Sequence, residues 1–142
     1  MAVNLTLSPD PHAKGRVLLI SCDRLSRRLT ASVLKSEGYV VFCESSDTIR
    51  DSELIESGTL PQHFDLVIVD EPDTVLSELD DMPELPELLA DLKIDVPVIA
   101  MSVMLSQQKV LEAGYTAVIA KPLCPATLLK TASRLCAAAL AR

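Results

Sequence analysis

The stretch Phe64-Asp65-Leu66-Val67-Ile68-Val69-Asp70 constrains the fold most strongly. It is an apolar run that ends abruptly on a carboxylate. Its β-branched residues mark a strand buried on both faces of a parallel sheet. In open α/β sheets, ligands bind just beyond the carboxyl ends of the strands, where the connections diverge. Asp70 stands at that edge and is the first candidate functional residue.

Four further segments have the same character: 17–20, 39–43, 96–101 and 116–120. Helical periodicity separates them. Leu25, Leu29, Val33 and Leu34 recur at helical spacing and predict an apolar face, with Gly38 as the left-handed stop. Ile49, Leu54 and Ile55 mark a weaker helix over 45–58. Pro86 fits the first turn of a helix reaching about residue 93, and residues 105–113 form a short helix before Gly114. Leu128, Ala132, Leu135 and Ala139 stripe a final helix that begins near Pro125. Residues 71–85 are acidic, proline-bearing and turn-like. Five strands alternating with five helices predict an α/β fold: a single doubly wound parallel sheet with right-handed crossovers. Residues 1–14 read as a flexible arm and residues 15–142 as one domain.

Composition narrows the function. Thirteen basic against twenty acidic residues give −7, which disfavours nucleic acid and anionic membrane surfaces as partners. No apolar run approaches the roughly 20 residues needed to cross a bilayer, and the N-terminus lacks a signal-peptide pattern. Cys22, Cys43, Cys124 and Cys136 form no C-x-x-C pair and read as reduced, mostly buried residues of a cytoplasmic protein. His12 and His63 lie in loop-like stretches and read as surface residues.

Strand ends place Asp23 or its neighbours, Asp70, Ser102 and Lys121 on one rim. Singly, each has an ordinary explanation: a turn cap, a helix cap, a solvated amine. Together, an acid, an alcohol and an amine suit phosphoryl transfer. The aspartate would be the nucleophile, and the lysine and serine would bind phosphoryl oxygens. Periodicity alone leaves the strand order open.

These residues resemble the receiver domain of bacterial two-component response regulators. The likeness covers about residues 16–138 and rests on 17–23, Arg27-Arg28, 38–41, 64–70, 96–102, Glu112-Ala113-Gly114 and Ala120-Lys121-Pro122. It implies a flavodoxin-like sheet of order 2-1-3-4-5. It further implies Asp70 as phosphoacceptor from a histidine kinase or phosphotransfer protein, Ser102 as switch hydroxyl and Lys121 as phosphate contact, with a cis bond before Pro122. Activity would be confined to phosphorylation and dephosphorylation of Asp70 itself. The implied partner surface includes Lys109, Tyr115 and Thr127. The chain ends at Arg142 in the last helix, so output would pass through a separate downstream protein or a homodimer.

Departures from the pattern point to an atypical, stand-alone receiver acting through protein contacts. Receivers carry two acids after the first strand to hold Mg²⁺ with the phosphoacceptor. Here Ser21 and Cys22 occupy those positions, and Asp23 falls one residue late. Mg²⁺ wants carboxylate oxygen, so a site built on Asp70 and Asp23 would bind it weakly or not at all. Val118 stands where a rotating aromatic is expected. The alternative is a working phosphoacceptor in which Asp23 or Glu71 completes the metal site. A flavodoxin-like cofactor binder is disfavoured by the absence of a glycine-rich loop. A redox sensor at Cys22 is disfavoured against an ordinary buried thiol.

Overall fold

The computed structural model describes residues 14–21, 23–44, 64–70, 96–102, 114–121 and 123–140, with backbone only for Ser102 and 138–140. Five strands form one sheet: β1 (Arg16–Ser21), β2 (Val40–Glu44), β3 (Leu66–Asp70), β4 (Val98–Ser102) and β5 (Ala117–Ala120). Their order is β2-β1-β3-β4-β5, and every pairing is parallel. Helix α1 (Arg24–Ser36) follows β1, and helix α2 (Pro125–Leu140) follows β5. The predicted helices over 45–58, 86–93 and 105–113 lie outside the described residues, as do residues 1–13, 71–85 and the bond before Pro122. Among the described residues, no helix is long and apolar enough to cross a membrane.

Both faces of the central strands are buried, which explains why their sequences run apolar rather than alternating. Val17 and Leu19 of β1, Leu66 and Ile68 of β3, and Ile99 and Met101 of β4 join one core with Leu34 of α1 and Leu128, Ala132 and Cys136 of α2. Leu18, Ile20, Val67, Val98 and Ala100 point to the other face and are equally buried. Each fully buried Leu or Ile contributes about 1.5–3 kcal/mol.

The apolar run that opened the sequence is cut at Asp65. Asp65 lies just before β3 and locks that strand to β1. Its Oδ2 accepts from Arg16 N at 2.9 Å, and the Arg16 guanidinium spans both oxygens, with Nη2 3.2 Å from Oδ1. Phe64 is buried and meets Phe42 edge-on at 5.5 Å. This clamp fixes the register at the foot of the sheet, and therefore which residues face each other at its carboxyl edge.

Helix α1 starts where Asp23 caps it: Oδ1 accepts from Leu25 N at 3.1 Å. It ends in a Schellman arrangement, with Gly38 at φ 101° and the N–H groups of Gly38 and Tyr39 donating to Lys35 O and Leu34 O. Of the predicted face, Leu34 is in the core and Val33 packs against it, but Leu25 and Leu29 are turned out. Leu25 is 76% exposed and Leu29 56%, while Thr30, Ala31 and Leu34 are buried. The inward ridge is Ser26–Thr30–Leu34, spaced by four and rotated one residue, about 100°, from the Leu25–Leu29 ridge. At the opposite end of β1, Gly15 meets Cys136 of α2, and a Cβ there would lie 2.8 Å from Sγ.

The thiols also differ from expectation. The three described cysteines are free, but only Cys136 is buried; Cys43 and Cys124 are exposed.

Candidate functional site

The register delivers the rim residues one after another. Ser21 ends β1 directly opposite Asp70 at the end of β3. Asp70 in turn faces Met101, whose successor Ser102 ends β4 and faces Ala120 of β5. Lys121 comes next along the chain. Parallel strands stop in step here, so residues 49 to 51 positions apart become neighbours.

Asp70 is only 2% exposed, and its carboxylate is held from three directions. Ser21 Oγ donates to Oδ2 at 2.9 Å. Ser26 Oγ, from the first turn of α1, donates to the same oxygen at 2.6 Å. Lys121 Nζ forms an ion pair with Oδ1, and its side chain is 12% exposed. Charge-assisted bonds of this kind are about twice as strong as neutral ones. A buried carboxylate needs such partners, because an isolated charge in the interior is costly. Ser21 Oγ also accepts from Asp23 N at 3.2 Å, and Arg27 Nη1 lies 3.4 Å from Ser21 O. The loop into α1 is thereby tied to the same cluster.

The structure brings together Asp70 and Lys121, as the strand ends predict. Ser102 is placed by its backbone at the neighbouring strand end. Asp23 is exposed, and its side chain is engaged in capping α1. Cys22 lies outside the described residues. Ser26 was not anticipated. It falls between the apolar positions of an amphipathic helix, where a serine carries no periodicity signal. Tyr115, expected on a partner surface, is 5% exposed and belongs to the core. Thr127 is exposed, and Lys109 lies outside the described residues.

A receiver-type site at Asp70 would hold Mg²⁺. The ion asks for several oxygen ligands and favours carboxylates. The described side chains supply a single carboxylate, surrounded by an ammonium and two hydroxyls directed onto its oxygens. Among the described residues, no group of three His, Cys, Asp or Glu side chains gathers. The donor set supplied by the described residues does not fit Mg²⁺.

Among the thiols, burial pushes Cys136 up to about 12, and burial also raises Cys43. Hydrogen bonds from the Thr127 side chain and backbone lower Cys124, which precedes α2.

No protein-family model and no curated protein matches the chain. Solved structures do match. A CheY-like response regulator receiver domain protein from Methanospirillum hungatei JF-1 is 25% identical, with a TM-score of 0.63 over 87% of this chain and 94% of that one. A response regulator receiver protein from Sinorhizobium medicae WSM419 is 21% identical, with a TM-score of 0.63 over 87% and 95%. A protein described as pilus assembly-related from Burkholderia pseudomallei K96243 is 21% identical, with a TM-score of 0.67 over 92% and 96%. Strand order and parallel pairing agree with this likeness: the chain has the fold of a response-regulator receiver domain.

Proposed function

We propose that the chain is an atypical receiver-like signalling module that works through protein–protein contacts, with little or no Mg²⁺-dependent phosphorylation. One observation carries the reading. Asp70 is buried, and both its oxygens are taken by the protein's own donors, Lys121 on one side and Ser21 and Ser26 on the other. Ser21 holds the register position opposite Asp70 where the resemblance calls for an acid. With Lys121, the hydroxyls satisfy the carboxylate without a metal ion. They do not offset the repulsion between Asp70 and an incoming anionic phosphoryl group. Upstream and downstream proteins, or a second copy of the chain, would then read the folded surface.

A second reading keeps Asp70 as phosphoacceptor, and the Lys121 ion pair favours it. Asp70 Oδ would form a bond to phosphorus as the donor's bond to phosphorus breaks. The displaced group would be the imidazole of a histidine kinase or phosphotransfer protein, and Lys121 and Ser102 would bind the transferred oxygens. Incubation with acetyl phosphate, with and without Mg²⁺, separates the two by intact mass. The first reading expects no adduct in either condition. A Mg²⁺-dependent adduct that disappears in Asp70→Ala establishes the second.

A further inference from the structure

Helix α1 holds the cations Arg24, Arg27, Arg28 and Lys35 and no carboxylate. Stability does not explain the set. Arg24 and Arg28 are like charges one turn apart, which destabilises a helix. Arg24 and Arg27 also stand toward its N-terminal end, where the macrodipole favours acids, and the first turn has none. Among the described residues, Arg24, Arg28 and Lys35 pair with no carboxylate. The remainder of the chain is strongly acidic, since the whole is at −7.

Three of the four cations border one cavity. A groove of about 590 Å³ opens between α1 and the edge strand β2, and its lining includes Arg27, Arg28, Ser32, Lys35 and Cys43. Among the described residues, no carboxylate lines it. Its volume is that of a small-ligand pocket. Cys43 faces the cations: burial raises its thiol, and Lys35 and Arg27 act against that rise. Ser36 also borders the groove, but its hydroxyl donates to Val33 O at 2.7 Å. Ser32 is therefore the hydroxyl donor of the site. Arg27 and Arg28 gather at one end of the groove, and Lys35 stands two helical turns, roughly 10 Å, from them.

We infer that this groove binds a small organic bisphosphate. One phosphate would lie between the guanidinium groups of Arg27 and Arg28, and the other against Lys35, with Ser32 donating to the linker between them. A guanidinium fork matches phosphate oxygens two at a time, and an ammonium serves as a point charge. The distance between the two cationic ends selects separated phosphates over one compact anion. Among the described residues, no aromatic side chain lines the groove, so nothing there would stack a nucleobase. A nucleic acid or an anionic bilayer would also meet the acidic remainder of the surface. A ligand that fits within the groove does not. Arg27 Nη1 also reaches Ser21 O at 3.4 Å. The site thus adjoins the Asp70 cluster without using it, and it stands whether or not Asp70 accepts a phosphoryl group.

Isothermal titration calorimetry of the full chain with fructose 1,6-bisphosphate tests the site. One molecule is expected to bind per chain, more weakly as salt rises. Fructose 6-phosphate, which leaves one cationic end empty, should bind about tenfold more weakly or worse. The R28Q/K35Q variant should lose at least as much affinity for the bisphosphate. Arg28 and Lys35 are exposed, so thermal melting should show the variant folded. Alkylation gives a second readout on the unaltered chain. Saturating bisphosphate should slow the reaction of Cys43 with iodoacetamide and leave Cys124, outside the groove, unchanged. No binding, equal binding of the monophosphate, wild-type affinity in R28Q/K35Q, or an unprotected Cys43 would each overturn the assignment. So would tighter binding of a short DNA duplex or of phosphatidylglycerol vesicles that is lost in R28Q/K35Q, because a polymer or a membrane would then be the occupant.

Discussion

Ser26 Oγ lies 2.6 Å from Asp70 Oδ2, and this contact joins the first turn of α1 to the end of the central strand. It sets the rotation of the helix. With Ser26 turned inward, Thr30 and Leu34 follow it into the core, and Leu25 and Leu29 face solvent. Ser26→Ala removes one of two hydroxyls from Oδ2 and is expected to cost about 1.5–3 kcal/mol, measured by urea unfolding.

Ser21→Asp places a carboxylate directly opposite Asp70. Without metal, the two acids repel, and the melting temperature should fall. Millimolar Mg²⁺ should then raise the variant by binding the folded state alone, while leaving the wild type unmoved. A Mg²⁺-dependent rise in the wild type would contradict the metal-poor reading of the site.

The Lys121–Asp70 pair is buried, so breaking it costs more than making it gains. Lys121→Met strands a charge and should lose about 3–5 kcal/mol. Asp70→Asn in the same chain removes that charge and should recover much of the loss. The coupling from the four-member cycle of urea midpoints should exceed about 1 kcal/mol.

Cys136 links stability to alkaline pH. Folding raises its pKa from 9.0 to about 12. Below the lower value both states are protonated, and the folded protein has its full stability. Between the two values the unfolded chain has lost the proton and the folded one keeps it. Stability therefore falls as pH rises through this window, by up to about 1.4 kcal/mol per pH unit. Tyr39, raised chiefly by burial, adds to the slope. Cys136→Ala should flatten the fall, seen in urea midpoints against pH.

Cys124 is exposed and its thiolate is favoured, Cys43 is exposed but raised, and Cys136 is buried. Iodoacetamide near neutral pH should modify them in that order, with Cys136 reacting only on unfolding. Peptide mapping reads the order directly. Thr127→Val should slow Cys124 and leave Cys43 unchanged.

The sequence by itself determined the parallel α/β sheet, because only strands buried on both faces are written as unbroken β-branched runs. It also placed Asp70 and Lys121 at strand ends, since the run 64–70 stops on the one and the run 116–120 just before the other. The resemblance to receivers supplied the strand order, which periodicity does not encode. The tertiary structure alone decided which groups surround Asp70. Ser26 could not be read in advance, because a helix's rotation about its axis depends on what it packs against, and the four-residue ridges starting at Leu25 and Ser26 look equally admissible in a sequence. Asp65 was hidden for a similar reason: its place inside an apolar run concealed that it lies just before β3, bonded to Arg16. The same rotation left Leu25 and Leu29 exposed beside a cationic groove, a surface that helical periodicity alone would have buried.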